Sequence, residues 1–210
     1  MSKILPIFPL QLVAFPSEDL NLHIFEPRYR QMMRECEEQD TTFGIPAYLN
    51  KRVQEYGTEL KLVEIVKRYA DGKMDIRTKG IGVFRIEEFF SRAPDKLYAG
   101  AKIKRIEDHV KSDILLSSQI IEKVEELFEL MNIKKEIPDA QSFSTFKMGH
   151  HVGLSVEQEY ELLCIPNEEE RQEYMLDHLR KLLPVVREME SLRQRVQMNG
   201  HFKDVIPPKI

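Results

Sequence analysis

Sequence spacings typical of metal ligands are rare in this 210-residue chain. His23 and Glu26 have the spacing of two metal ligands, but no second ligand pair accompanies them, so a turn or helix-capping role is favoured. His150 and His151 are adjacent, and adjacent side chains on a helix do not face each other, so both are interpreted as polar surface residues. We therefore expect no metal site and no cofactor.

Candidate nucleophiles are equally isolated. Cys36 is flanked by glutamates, which raise the pKa of a thiol and disfavour a reactive thiolate. Cys164 lies between leucine and isoleucine and is predicted to be part of the core. Ser142 and Lys147 lack a spacing that would support a Ser–Lys pair, and the motifs GxxxxGK[ST], HExxH and GxSxG do not occur. The sequence therefore predicts no catalytic residues.

The composition restricts the class of protein. The net charge is -4 and the mean hydropathy is -0.40, with 42% hydrophobic and 31% charged residues, which is typical of a soluble protein. No apolar run reaches the roughly 18 residues that a membrane helix needs, and prolines interrupt the apolar N-terminus, which does not look like a signal peptide. Two distant cysteines favour reduced thiols in the cytoplasm. DNA and membranes are not expected partners.

The secondary structure that must position these residues is predicted to change from mainly strands to helices along the chain. Prolines at 6, 9, 16 and 27 divide the opening apolar run into a short edge strand, a turn, a second strand and a helix over about 26–39. A strand containing Pro46 should lie at an edge or a bulge. A phase slip at Leu62-Val63 predicts a β-bulge, and Asp71-Gly72 predicts a hairpin. Gly80-Ile-Gly82 predicts a kink, so these strands suggest a closed or nearly closed barrel.

From about residue 111 the apolar period becomes helical. Asp113 is predicted to cap a helix that ends at Ile137-Pro138, and Ser155 to open another that ends before Pro166. A long helix follows, kinked at Pro184 and ending at Asn199-Gly200, with an apolar stripe of Leu176, Leu179, Leu183, Val186, Met189 and Val196. We therefore predict an α+β chain with a barrel domain over 1–110 and an α-helical subdomain over 111–210.

Basic residues on the strands raise the alternative of nucleic-acid binding. They are Lys67, Arg68, Arg77, Lys79, Lys102, Lys104 and Arg105. Single-strand binders interleave aromatic residues with such charges, and none are interleaved here. A solvated sheet face balanced by glutamate and aspartate is the favoured interpretation, so RNA is a disfavoured partner.

Several segments together resemble the N-terminal substrate-binding domain of Lon proteases. They are Leu5-Pro-Ile-Phe-Pro-Leu10, Val13-Ala-Phe-Pro16, Ile24-Phe-Glu-Pro-Arg-Tyr-Arg30, Thr78-Lys-Gly-Ile-Gly-Val-Phe-Arg-Ile86 and, in the helical half, Leu162-Leu163 and Asn167 to Arg171. The resemblance implies a PUA-like β-barrel followed by an α-helical subdomain with a long C-terminal helix. The Lon ATPase and Ser–Lys protease domains have no counterpart in this sequence, so the chain resembles stand-alone, single-module members of the family.

The resemblance implies a non-enzymatic module that binds unfolded or extended polypeptide, with a protease or chaperone as a further partner. The candidate peptide-binding surface comprises Phe8, Leu10 and Phe15, from the apolar proline-rich edge, with Tyr29 and Arg30, which end the family motif. The alternative is a PUA-like domain that binds a small ligand or RNA. An enzyme with an unrecognised site is a third possibility, for which no constellation of residues was found.

Overall fold

The computed structural model describes residues 4–200, and the side chains of residues 4–197. Six strands form one sheet: β1 (Leu5–Ile7), β2 (Asp19–Ile24), β3 (Thr42–Leu49), β4 (Arg52–Arg68), β5 (Met74–Phe90) and β6 (Ala99–Arg105). The described helices are α1 (Pro27–Gln39), α2 (Ile114–Leu130), α3 (Thr145–Met148), α4 (Val156–Cys164) and α5 (Glu168–Gly200). No described helix is long and apolar enough to cross a membrane.

The sheet closes on itself, as predicted. Its order is β2-β5-β4-β3-β1-β6, and β6 also pairs with β5, so five strands form a ring to which β2 is added at β5. All pairings are antiparallel except that of β1 with β3. Closure gives the long strands β4 and β5 partners on both sides and removes most free edges.

The predicted turns and irregularities of the barrel are present. Register shifts occur at Leu62/Glu64 in β4 and after Pro46 in β3, where the predicted bulges lie. Gly72 adopts a φ of +82° in the β4–β5 hairpin, a conformation that glycine adopts without strain. At Gly80-Ile-Gly82, where a kink was predicted, β5 continues as one 17-residue strand, and its pairing with β4 shifts register between Glu59 and Leu60.

Helix α1 begins at Pro27, where the missing N–H of proline would have had no intrahelical partner. Its buried residues are Tyr29, Met32, Met33 and Cys36, which recur at helical spacing. They join the main barrel core with Phe43, Leu60 and Ile76. Burying this stripe leaves Arg30 and Arg34 on the outer flank of the helix.

The chain divides into two compact units, one up to residue 111 together with 144–171, the other 112–143 together with the chain from 172 on. The division differs from the predicted boundary at 110, because 144–171 groups with the barrel. Within the first unit, Phe15 stacks on Phe146 with 5.3 Å between ring centroids. Ser155 caps α4 with a complete capping box, as its position at the predicted helix start requires.

The second unit contains α2 and most of α5. Asp113 caps α2 as predicted, accepting hydrogen bonds from the amides of Leu115 and Leu116. The predicted end at Ile137-Pro138 is wrong: α2 ends at Leu130, because Asn132 takes a left-handed φ of 53° and the amide of Ile133 bonds the carbonyl of Phe128. This is a Schellman ending, which satisfies the last carbonyls of the helix.

Helix α5 is continuous through Pro184, and the bend predicted there stays a prediction. The first part of its apolar stripe is buried, at Leu176, Leu179 and Leu183, whereas Met189 and Val196 are 65% and 70% exposed. The predicted helix end at Asn199-Gly200 coincides with the last described residues, and 201–210 lie outside them.

Candidate functional site

The fold buries three of the five predicted surface residues. Phe8 and Tyr29 are only 7% and 6% exposed, and their rings stack at 3.8 Å between centroids. Phe15 is fully buried. Leu10 and Arg30 remain half-buried. The side chains of Phe8, Phe15 and Tyr29 therefore stabilise the core, and their burial does not fit the surface position expected for them.

Arg30 lines a cleft of about 790 Å³ in the first unit. The cleft lies where α1 approaches the β4–β5 hairpin and the loop before β6. This volume is within the range of about 300–1,000 Å³ that is usual for ligand sites. Its lining includes Arg30, Arg34, Arg68, Lys73, Met74 and Leu97.

The hairpin turn holds Arg30 at the cleft. The Arg30 Nη1 atom donates a hydrogen bond to the carbonyl of Asp71 at 2.6 Å. A Cβ atom at Gly72 would lie 2.8 Å from the same nitrogen, so the guanidinium packs directly over the glycine. The Asp71-Gly72 turn, predicted from sequence as a hairpin, thus also positions a side chain of the cleft.

The cations of the cleft differ in how they are neutralised. Arg68 donates to both carboxylate oxygens of Glu37, at 2.6 and 2.7 Å. Lys73 pairs with Asp71 at 2.7 Å, and this hydrogen bond lowers the pKa of the Asp71 carboxyl. Within the described part of the chain, Arg30 and Arg34 have no carboxylate within 4.0 Å of their guanidinium nitrogens.

The loop that closes the cleft is attached to α1 by polar contacts. The amide of Leu97 donates to Gln31 Oε1 at 3.0 Å, and Lys96 pairs with Glu35 at 2.8 Å. The Tyr98 hydroxyl donates to the same carboxylate. Burial alone would raise the pKa of Glu35, but the hydrogen bonds from Lys96 and Tyr98 lower it. The Leu97 side chain stays 52% exposed and is available to a ligand.

An edge strand runs beside the cleft. Ile24, the last residue of β2, is paired in register with Met74, which lines the cleft. Among the described strands, β2 pairs with β5 alone, so its other side faces no strand. Backbone amides and carbonyls along such an edge can accept a further extended chain.

The His23–Glu26 pair does not form a metal site. His23 Nδ1 lies 2.6 Å from Asp75 Oδ1, and the Tyr69 hydroxyl donates to the other Asp75 oxygen at 2.7 Å. Glu26 instead pairs with Arg28 at 2.9 Å. In the described residues, no group of three or more His, Cys, Asp or Glu side chains could hold a metal ion.

His150, predicted as a polar surface residue, lies between two carboxylates in the structure. Its Nδ1 atom lies 2.7 Å from Glu159 and its Nε2 atom 3.3 Å from Glu18, and its ring contacts that of Phe15. The hydrogen bonds to Glu159 and Glu18 raise the pKa of His150 to about 9. The sequence offered no signal for this, because Glu18 and His150 are 132 positions apart.

This ion triad predicts a decline in stability at alkaline pH. A histidine whose folded pKa exceeds its usual value of about 6.5 stabilises fully below about pH 6.5, and the contribution is lost as pH rises through about 9. We expect the free energy of unfolding to fall by about 1–2 kcal/mol over that interval, allowing for the partial exposure of the ring. Urea unfolding at a series of pH values measures it.

Two variants serve as controls for that measurement. His150→Gln should remove most of the decline, since its amide does not titrate. Glu159→Gln should move the decline to lower pH, since it removes the strongest cause of the raised pKa. An unchanged alkaline decline in His150→Gln would show that another group causes it.

The basic strand residues are largely ion-paired. Arg77 pairs with Glu64 at 3.1 Å, and Arg105 donates two hydrogen bonds, at 2.7 and 2.8 Å, to Glu59. Lys102 pairs with Glu88 at 2.6 Å. Arg105 holds a carboxylate that is itself only 3% exposed, so its role is to neutralise Glu59. These pairings support the solvated, balanced sheet face.

The two cysteines are free thiols, and neither lies in surroundings that would make it a reactive nucleophile. Cys36 is buried on the inner face of α1. Burial raises the pKa of the Cys164 thiol to about 11, so it stays protonated near neutral pH.

Of the residues that line the cleft, the sequence had singled out Arg30, as part of a predicted peptide-binding surface, but not Arg34 or Leu97. A signal for Arg34 existed, because Arg30 and Arg34 lie four residues apart on one helix face and repel each other. Such a destabilising pair indicates a role other than stabilising the helix. Leu97 carried no such signal, since it stands before Tyr98 and Ala99 and was interpreted as the first residue of the strand that follows.

Comparisons with known proteins agree with this architecture. A Lon N-terminal domain protein from Xanthomonas campestris has 24% sequence identity and a TM-score of 0.63, covering 83% of this chain and 98% of that one. The N-terminal domain of a Mycobacterium avium complex Lon protease has 14% identity and a TM-score of 0.61, covering 84% and 98%. At these identities the likeness concerns the fold.

Sequence comparison adds a relative and a family. Chicken (Gallus gallus) cereblon is 24% identical over 121 residues, which are 56% of this chain and 27% of cereblon. The chain thus spans about a quarter of the length of that relative. The family model of the ATP-dependent protease La (Lon) substrate-binding domain matches residues 4–181. The chain therefore belongs to the Lon substrate-binding domain family.

Proposed function

We propose that this protein is a non-enzymatic module that binds unfolded or extended polypeptide segments. The observation that carries the proposal is the cleft at Arg30 beside the edge strand β2. Strand addition at β2 would satisfy the ligand's backbone, and the cleft would take its side chains. Membership of a family named for substrate binding supports the same function.

The expected ligand is a chain that has not folded, because only an extended backbone can pair with a strand edge. A protease or a chaperone that receives the bound chain is the further partner we infer from the family. Free thiols at Cys36 and Cys164 fit a reducing compartment such as the cytoplasm. Affinity at a single site should be modest, because an extended chain loses conformational entropy when it is ordered.

Fluorescence anisotropy with a labelled, permanently unfolded protein tests the proposal. We expect saturable binding at about 0.05 M and at about 0.3 M NaCl, because apolar contacts and backbone hydrogen bonds are little screened. A short single-stranded RNA is the comparator for the PUA-like alternative. Binding of RNA alone, lost at the higher salt, would favour that alternative. Binding of neither would refute the polypeptide proposal.

The apolar side of the cleft offers a matched pair of variants. Leu97 lines the cleft and Ile81 does not, and both side chains are 52% exposed. Leu97→Asn should weaken polypeptide binding about fivefold, because it removes roughly half a leucine side chain from the buried contact. Ile81→Asn should leave the dissociation constant unchanged. Equal weakening by both variants would place the binding site elsewhere.

A further inference from the structure

We propose that the cleft selects extended polypeptide segments in which an acidic side chain and an apolar side chain lie two positions apart. This inference rests on the proposed function, since it specifies the ligand of the same site. It follows from the charge of the cleft, from its apolar lining and from the edge strand beside it. The acidic side chain would bind Arg30 and Arg34, and the apolar one would contact Met74 and Leu97.

The two helical arginines are the first observation. Arg30 and Arg34 lie one turn apart on α1 and both line the cleft, where like charges at this spacing destabilise the helix. Among the described residues, each guanidinium donates one hydrogen bond to a main-chain carbonyl, that of Arg30 to Asp71 and that of Arg34 to Arg30. Most of their donors are therefore available to a carboxylate, which an arginine binds well in two-point geometry.

The contrast with the neighbouring cations is the second observation. Arg68 and Lys73 line the same cleft but are held by Glu37 and Asp71. The chain as a whole has an excess of acidic residues and a net charge of -4. Two arginines without acidic partners are therefore not explained by a shortage of carboxylates. They give this cleft a charge opposite to that of the whole chain.

The apolar lining is the third observation. Pro27, Met74 and Leu97 line the cleft together with the arginines. Leu97 is 52% exposed, whereas Met74 is 3% exposed and forms the floor. A ligand that offered carboxylates alone would leave this apolar surface uncovered. A segment with both kinds of side chain would use both parts of the lining.

The strand edge sets the spacing. Side chains at positions i and i+2 of an extended chain point to the same side, about 7 Å apart. The free edge of β2 lies on the side away from β5 and Met74, so a segment added there would reach the cleft by extending beyond Ile24, where Pro27 begins its lining. An acidic residue and an apolar residue two positions apart would then face the cleft together.

A polypeptide fits better than a nucleic acid. Asp95 also lines the cleft, and Glu37 and Asp71 adjoin it, so a continuous row of phosphates would meet three carboxylates. Tyr69, the aromatic residue of the lining, has Lys67 over its ring at 4.5 Å and its hydroxyl bound to Asp75. Lys67 covers one face of the ring, and His23 makes a T-shaped contact with it at 5.8 Å between centroids, so stacking of a base is restricted.

Competition between matched peptides tests the proposal. The probes are a labelled peptide of about twelve residues with repeated Glu-x-Leu spacing and the same peptide with every Glu changed to Gln. Both carry acetylated and amidated ends, so that terminal carboxylates do not contribute. We expect the Glu peptide to bind about tenfold more tightly at low salt, with the preference falling at higher salt.

Variants assign the preference to the cleft. Arg34→Gln should reduce it to about twofold, and Arg34→Lys should give an intermediate value, because lysine keeps the charge without the planar fork. Arg85→Gln is the control: Arg85 lies on β5 outside the cleft lining, and its side chain is 52% exposed. It should retain the tenfold preference. If Arg85→Gln and Arg34→Gln act equally, the selectivity is not a property of this cleft.

The remaining outcomes separate the two proposals. Equal binding of the Glu and Gln peptides would overturn the acidic preference and leave the polypeptide-binding function standing. No binding of either peptide or of the unfolded protein would overturn both. Tighter binding of a single-stranded RNA, with displacement of the Glu peptide, would identify the ligand as a nucleic acid and overturn the selectivity argued here.

Discussion

Replacing Arg171 by methionine should lower the free energy of unfolding by about 3–5 kcal/mol, because it leaves a buried carboxylate without its cation. Arg171 is 2% exposed and Glu168 is 3% exposed. The guanidinium lies within 2.8 Å of Glu168 Oε2 and 2.7 Å of Asp108 Oδ1. Its Nη1 atom also donates to the carbonyl of Ile165 at 2.8 Å.

The surrounding contacts explain why this ion pair cannot simply relax toward water. Glu168 accepts hydrogen bonds from the amide and the hydroxyl of Thr145, each at 2.8 Å. The Arg171 guanidinium lies 4.1 Å from the centre of the Phe146 ring. The network therefore joins the start of α5, the start of α3 and the segment after β6, all within the first unit. Loss of the arginine would therefore destabilise the packing of all three segments.

Urea unfolding measures the effect, and a second arginine of the same helix is the control. Arg187 is 55% exposed and pairs with Glu126, so Arg187→Met should change the free energy of unfolding by less than about 1 kcal/mol. The double variant Arg171→Met with Glu168→Leu should recover part of the loss, since the buried carboxylate is removed with its cation and the remaining partner, Asp108, is 29% exposed and can be hydrated. A loss from Arg171→Met no larger than that from Arg187→Met would contradict the argument.

Replacing Gly80 by alanine should lower the free energy of unfolding by about 3 kcal/mol, because the added methyl group has no space. A Cβ atom there would lie 2.3 Å from the carbonyl oxygen of Phe15. The two segments cannot separate easily, since the amide of Ser17 donates to Gly80 and that of Gly80 to Glu18, each at 2.9 Å. The contact is thus between two fixed pieces of backbone.

The neighbouring glycine provides the matched control. A Cβ atom at Gly82 would meet nothing within 4 Å, although it lies two residues further along the same strand. Gly82→Ala should therefore leave stability unchanged or raise it by up to about 1 kcal/mol, by restricting the unfolded chain. Thermal unfolding of the two variants side by side tests the pair. Similar unfolding midpoints for both variants would mean that the close approach of Gly80 to the Phe15 carbonyl does not exclude a larger side chain.

Local features of the fold could be predicted because their causes are local. Pro27 starts α1, Asp71-Gly72 makes a hairpin turn, and Asp113 and Ser155 cap helices through contacts within three residues. The end of α2 was placed wrongly for a related reason. Asn132 ends it by adopting a left-handed conformation, which asparagine permits but does not require.

The candidate site was only partly predictable. Arg30 was identified from the family motif, but the cleft around it exists because α1 and a hairpin 41 positions later in the chain meet. Phe8, Phe15 and Tyr29 look equally suitable for a surface in the sequence, since an apolar side chain shows no sign of which neighbours cover it. The burial of Phe15 depends on Phe146 and Gly149, which lie in another part of the chain, whereas Phe8 and Tyr29 stack on each other within the barrel core.

The sequence by itself determined the family, the barrel strands and the alternation that places Met74, Ile76 and Thr78 on the inner face of β5. Hydrophobic periodicity and helix capping act over a few residues, so both can be recognised in the sequence alone. Only the tertiary structure decided the parallel pairing of β1 with β3, the closure of β6 on β5, and the ion networks of His150 and Arg171. These depend on which distant segments the closed sheet brings into contact.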